Sequence, residues 1–236
     1  MSLTLLQIVQ SFCERTNLTV PTTVYGSTDT QVVQIKALLE EIGIDINSRF
    51  NLQPMAFAVT HTTTAAQDQG AMSTLAPGYG SLKNFTIWDR DRILPVLGPL
   101  SAVDWEALLA MFVNGPYYQF RILNDHLLVN PVPPAGETWA FEYQSENWIV
   151  NGSTYKQFFT DDTDVPLINP SLLIIGLRAW WKMEKGLDYA ELMRMYEAMC
   201  KDMANKDGGK PVLKLDNGME RWPRPGIWVA PGSWSV

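Results

Sequence analysis

Three carboxylates within four positions, Asp161, Asp162 and Asp164, form the densest group of potentially reactive side chains in this sequence. Carboxylates so close could hold a divalent cation or divide acid–base work between them. Their setting lacks the glycine at the sixth loop position and the glutamate at the twelfth that a calcium-binding helix–loop–helix needs. An acidic turn ahead of a helix start is favourable through the helix dipole alone, so a structural role is expected. His61 and His126 fall on different candidate strands, without Cys or carboxylate at ligand spacing, and are read as structural. There is no Gly-x-Ser-x-Gly elbow and no phosphate loop. Gly78-Tyr79-Gly80 reads as a flexible turn, because no helix start follows it. Asn151-Gly152-Ser153 fits a glycosylation sequon and is read as a turn. No catalytic residue, metal ligand or cofactor is expected.

Aromatic side chains offer a second chemistry. The chain has nine tryptophans, and Trp88, Trp105, Trp139 and Trp148 fall in a region where they could stack on sugar rings. A glycan-cleaving enzyme would also need two facing carboxylates. Asp89, Asp91, Asp104 and Glu106 are the nearby acids, and the sequence alone does not place them. A carbohydrate-binding or receptor-binding tail module is therefore the alternative functional reading.

The elements that must position these residues are legible from periodicity and caps. Residues 2–16 predict an amphipathic helix, with Ser2 as cap and Leu5, Leu6, Val9, Phe12 and Cys13 on its face. Asn17 to Gly26 is a connector broken by Pro21. Thr28 and Gln31 have capping-box spacing before a second helix whose face is Val32, Ile35, Leu38, Leu39 and Ile42, and Gly43 is expected to end it. Near the other end, Asn169 caps and Pro170 opens a helix that is apolar almost all round from Leu172 to Met183. Lys182, Lys185 and Gly186 close it. Asp188 and Glu191 then start a helix whose predicted face is Leu192, Met195, Tyr196, Met199 and Met203.

Residues 50–158 change character. Met55–Thr64, Phe85–Trp88, Tyr117–Leu123, His126–Asn130, Thr138–Tyr143 and Trp148–Val150 read as strands. Asn124-Asp125 is a two-residue hairpin turn, and Asn151-Gly152 a second turn. Ser101 caps one helix with Trp105, Leu108, Leu109 and Phe112 on its face. The expected fold class is α+β. Residues 1–49 and 159–208 supply a four-helix core, 50–158 form a β-rich insertion, and 209–236 are an extended arm rich in Pro, Gly and Trp. Trp222, Trp228 and Trp234 recur at intervals of six in that arm, and with Ile227 they are its candidate docking anchors.

Composition narrows the function classes. The net charge of −7 argues against a general nucleic-acid binder. Residues 201–236 hold six Lys/Arg against four Asp/Glu, a mildly basic tail on an acidic body. Only 18% of residues are charged, which suggests surface given over to partners. Cys13 and Cys200 are read as buried free thiols. The N-terminus lacks a positively charged leader and no window approaches a membrane span, so no membrane partner is expected.

The stretch from Phe158 to Glu191 resembles the head-to-tail adaptor proteins of short-tailed bacteriophages. The similarity covers Phe158–Pro166, the double-tryptophan helix Leu172–Lys185 and the junction Gly186–Glu191. It implies a structural virion protein at the neck, assembled in the host cytoplasm, forming a ring of about twelve copies. The implied partners are the portal protein, the tail nozzle or fibre proteins, and further copies of itself. Double-stranded DNA would pass through the lumen without sequence-specific binding. The implied core and assembly residues are Leu173, Leu177, Trp180, Trp181, Tyr189, Met195 and Tyr196.

Overall fold

The first helix begins two residues after the position that a Ser2 cap predicts. Thr4 caps it instead, because its hydroxyl accepts from the Gln7 amide while the Gln7 side chain accepts from the Thr4 amide at 3.1 Å. This helix, α1 (Leu5–Thr16), buries Leu5, Ile8, Val9, Phe12 and Cys13. The second, α2 (Thr30–Arg49), is capped by Asp29 rather than Thr28, the Asp29 carboxylate taking the Gln31 amide at 2.8 Å. It runs straight through Gly43, which sequence predicts as its end. The glycine leaves a hole there: a Cβ at position 43 would lie 2.2 Å from the indole of Trp148. The computed structural model describes residues 2–111 and 115–207. The expected arm, with Trp222, Ile227, Trp228 and Trp234, and the expected face residue Phe112 lie outside the described residues.

The middle of the chain builds two antiparallel sheets. In order come β1 (Ala56–Thr62), β2 (Asp68–Ala71), the short α3 (Met72–Leu75), β3 (Tyr79–Leu82), β4 (Trp88–Asp89) and β5 (Leu94–Pro95). They are followed by α4 (Ala102–Ala110), β6 (Gln119–Leu123), β7 (His126–Asn130) and β8 (Thr138–Ser145). Strand β8 is the spine of the first sheet, with β1 on one side, β3 and β4 on the other, and β5 beyond β4. The second sheet has the order β2-β7-β6. Alternation along β8 turns Trp139, Phe141 and Tyr143 inward, where they meet Phe120, Leu127 and Val129 of the other sheet in a core of their own. Asn124 and Asp125 have φ of 50° and 64°, the left-handed pair that a type I′ hairpin needs.

Two readings are corrected here. Gly78-Tyr79-Gly80 is not a flexible turn: Tyr79 and Gly80 lie in β3, and a Cβ at Gly80 would sit 3.1 Å from the Gln144 carbonyl of β8. Phe85–Trp88 is not a strand either, since Phe85 has φ of 62° and pairing starts only at Trp88.

The chain then returns to the helices through a small sheet, β9 (Ile149–Asn151), β10 (Thr154–Lys156) and β11 (Val165–Pro166), in the order β10-β9-β11. Its tight turn is Gly152-Ser153, one residue later than expected, with Gly152 at φ +60°. Trp148, Ile149, Phe159 and Ile168 are buried with the helical residues rather than with the two sheets. Helix α5 (Pro170–Glu184), capped by Asn169 as predicted, contacts α1, α2 and α6 (Ala190–Asp207). Leu173 and Leu177 are fully buried on it, Trp181 nearly so, and Trp180 packs half-buried against the same cluster. The Asp188 carboxylate accepts from the Ala190 amide at the start of α6, in place of the expected capping box with Glu191. The inward face of α6 is Met193, Tyr196, Met199, Cys200 and Met203, while Met195 points outward at 45% exposure, against expectation. The fold is α+β.

Gly43→Ala tests the reading of that glycine as a hole. Alanine gains about 1 kcal/mol of helix propensity over glycine, but overpacking a closed site costs about 1–3 kcal/mol, and the Trp148 ring is wholly buried. A net loss of up to about 2 kcal/mol in urea unfolding is expected, whereas a stabilised variant would mean that the ring has room to move.

Candidate functional site

The acidic turn is a clip that holds the helical part of the molecule together. Asp164 is completely buried. Its carboxylate accepts from the Thr160 amide at 2.7 Å, the Asp161 amide at 3.0 Å, Asn151 Nδ2 at 2.8 Å and Lys156 Nζ at 2.8 Å. Asp162 faces the other way. It takes the Thr23 hydroxyl at 2.6 Å and the Val24 and Tyr25 amides at 3.0 and 2.7 Å, fixing the loop between α1 and α2. Asp161 closes its own turn through the Thr163 amide and hydroxyl.

The backbone of the clip has a second task. The first amides of any helix lack partners within it. Here the Leu5 amide donates to the Asp164 carbonyl at 2.8 Å and the Leu6 amide to the Asp162 carbonyl at 3.3 Å. Sequence reading assigned the acidic turn to the start of α5; the structure joins it to the start of α1. On the neighbouring side, the Phe159 amide donates to Glu40 of α2 at 3.0 Å. One short segment thus fixes two helices, a loop and the β9–β10 hairpin.

The electrostatics follow from these bonds. Burial acts to raise the Asp164 pKa, and it is outweighed by the Lys156 ammonium, the Thr160 amide, Asn151 and the Asp161 amide, which together hold it below the ordinary carboxylate range. Asp162 is lowered in the same way: burial opposes, and Thr23 with the Tyr25 and Val24 amides prevails. Among the described residues, no group of three or more His, Cys, Asp or Glu is placed to hold a metal ion. The carboxylate lone pairs of the turn are spent on amides, hydroxyls and one lysine.

The other candidates separate. His61 meets Gln69, and His126 pairs with the Asp68 carboxylate at 2.9 Å on the surface. Of the four tryptophans proposed for sugar stacking, Trp105, Trp139 and Trp148 are buried. Trp88 alone reaches the surface, in an open hollow of about 460 Å³ with Phe85, Arg90 and Glu142. Asp89 is buried and accepts the Asp91 and Arg92 amides, Asp91 accepts the Thr138 amide, and Asp104 bonds Ser101 of the α4 cap. Glu137 was missed by sequence. Burial first, and the nearby Asp89 charge second, push its carboxyl up, with Tyr118 opposing at 3.3 Å.

Exposed apolar side chains are spread over much of the described surface, Phe85, Ile93, Val132 and Phe158 among them, and two sets lie close together in sequence. Around the α5–α6 turn stand Met183, Leu187, Tyr189 and Met195, next to the start of α2, where Lys185 bonds Gln34 at 2.9 Å. On α4 only Trp105 is buried, and Val103 and Leu109, with Met111 just beyond, face solvent. Of the assembly residues expected from sequence, Leu173, Leu177, Trp181 and Tyr196 are core, Trp180 is half-buried, and Tyr189 and Met195 are available to a partner. Tyr196 has its hydroxyl on Asp45 at 3.1 Å, beside a two-pronged Arg49–Glu197 pair that ties α2 to α6. No helix among the described residues is long and apolar enough to cross a membrane. The chain matches no protein-family model and no curated protein.

Removing one partner from a buried ion pair costs about 3–5 kcal/mol, so Asp164→Asn should lose about that much stability at pH 7. A lowered pKa contributes stability that is full above the unfolded value of about 3.9 and is lost as pH falls through the folded one. Urea midpoints of wild type and variant should therefore converge below about pH 4. A difference that stays constant from pH 7 to pH 2 would mean that Asp164 is not ionised in the fold.

Proposed function

We propose that this chain is a head-to-tail adaptor of a short-tailed bacteriophage, a structural virion protein that forms a ring between the portal and the tail nozzle. In this reading it is not an enzyme. It assembles in the host cytoplasm, takes its place at the neck of the particle, and continues the channel through which DNA leaves. Two supports come from different sources. The resembling stretch, Phe158 to Glu191, spans the acidic clip, α5 and the α5–α6 turn, so it covers one structural unit. The observation that carries the assembly role is the exposure of apolar side chains at two separate elements, the α5–α6 turn and α4.

Two unlike sticky surfaces on one subunit favour heterologous contacts, and such contacts close into rings when the rotation permits. A net charge of −7 suits a channel wall to which DNA should not adhere. The receptor-binding alternative keeps only the Trp88–Phe85 hollow. Glycan binding by the full chain that disappears in Trp88→Ala would favour that alternative.

Leu187→Glu and Val103→Glu each alter a side chain that is more than half exposed, so the melting temperature should move by less than about 2 °C. With purified portal, wild type is expected to form closed rings by electron microscopy and mass photometry, and each variant to stay monomeric. Normal ring formation by both variants would remove the support that these surfaces give to the adaptor reading.

A further inference from the structure

The C-terminal end of α6 opens onto a groove of about 780 Å³, walled by Leu3, Leu52, Pro54, Pro166, Ile168 and Met203. A smaller hollow of about 300 Å³ shares Met203 and Asp207 with it and continues along α6 past Met199 and Leu172. The walls are mostly proline, leucine, isoleucine and methionine, with Ser2, Asn169 and Ser171 as uncharged polar groups. The charges are confined to the ends, at Asp202, Lys206 and Asp207, with Lys206 engaged by Asp202 at 2.6 Å. The Asp207 carboxylate accepts from the Gln53 amide, so the last turn of α6 is fixed beside the groove.

The described chain stops at Asp207, on the lip of that groove, and residues 208–236 follow. That segment carries Trp222, Ile227 and Trp228 interleaved with Pro223 and Pro225. It has Lys210, Lys214, Arg221 and Arg224 against Asp216 and Glu220. Its excess charge is therefore opposite to that of the body. An extended chain covers up to ~3.5 Å per residue, so the stretch from Trp222 to Trp228 can fold back onto a site that begins at its own tether. A segment tethered at the edge of its own site acts there at an effective concentration on the order of 1 mM.

We propose that this groove is the seat of the chain's own C-terminal segment, with the Trp222–Trp228 stretch lying on the proline and methionine walls. Indole rings on Pro54, Pro166 and Met203 bury apolar area on both sides, and the methionine sulfur adds a favourable contact with the ring edge. Arg221 and Arg224 then come beside Asp202 and Asp207. The inference does not depend on the adaptor reading, because it concerns the isolated subunit.

Hydrogen exchange read by mass spectrometry on the full chain tests it, comparing wild type with the double variant Trp222→Ala/Trp228→Ala and with Met203→Glu. Peptides covering 2–6, 50–56, 165–172 and 199–207 should exchange about tenfold faster in both variants. Peptides from β6 to β8 should not change. The protection in wild type should be the same over a hundredfold range of protein concentration. Unchanged groove peptides in the double variant would overturn the proposal. So would protection that appears only at high concentration, which would give the groove to a second copy of the chain.

Discussion

A buried carboxylate is expensive, and this molecule places one, Asp164, where several elements meet. Taking an ion out of water costs several kcal/mol even after relaxation. That cost is offset only when every acceptor site of the carboxylate is filled. Lys156 and Asn151 come from the β9–β10 hairpin, and the Thr160 and Asp161 amides from the turn itself. The set is complete only if the hairpin and the turn are both in place. Because the same turn satisfies the first amides of α1 and the loop before α2, its geometry propagates to the helices that α5 packs against. The carboxylates that most resemble a reactive cluster are thus the ones most fully committed to structure.

Around that clip the molecule keeps two apolar clusters, and their separation bears on assembly. The helical cluster is closed by Trp148, which fills the space above Gly43 and stands edge-on to Phe159 with ring centroids 5.2 Å apart. The β cluster is closed by Trp139, with Tyr118 beside it. Among the described residues tryptophan is therefore mostly interior, which weakens the sugar-stacking alternative far more than it weakens the assembly reading. The exposed apolar side chains at the α5–α6 turn and on α4 are methionine, leucine and valine, with Tyr189 beside them. These are side chains that a protein–protein contact can bury with little demand on hydrogen bonding.

Much of the local structure was legible because it rests on local physics. Asn169 and Ser101 cap as predicted, and the Asn124-Asp125 hairpin has the backbone that its residues favour. What escaped rests on distant partners. Gly43 reads as a helix stop unless one knows that an indole from Trp148 needs its space. Asp162 reads as part of a cluster unless its bonds to Thr23, Val24 and Tyr25 are seen. Strands β2, β5 and β11 have two to four residues each, too short for alternation to register. Helix α6 carries methionines on more than one side, and periodicity alone does not separate Met193, which packs inward, from Met195, which is exposed. The groove beside Asp207 is assembled from residues near both ends of the chain, and no sequence window contains it.

The central claim is a place in a particle, and copy number measures place. Quantitative mass spectrometry of purified virus, with the portal protein as internal standard, gives it directly. The account predicts one copy of this chain per portal subunit. A count differing several-fold from the portal, or absence of the chain from particles, would contradict it.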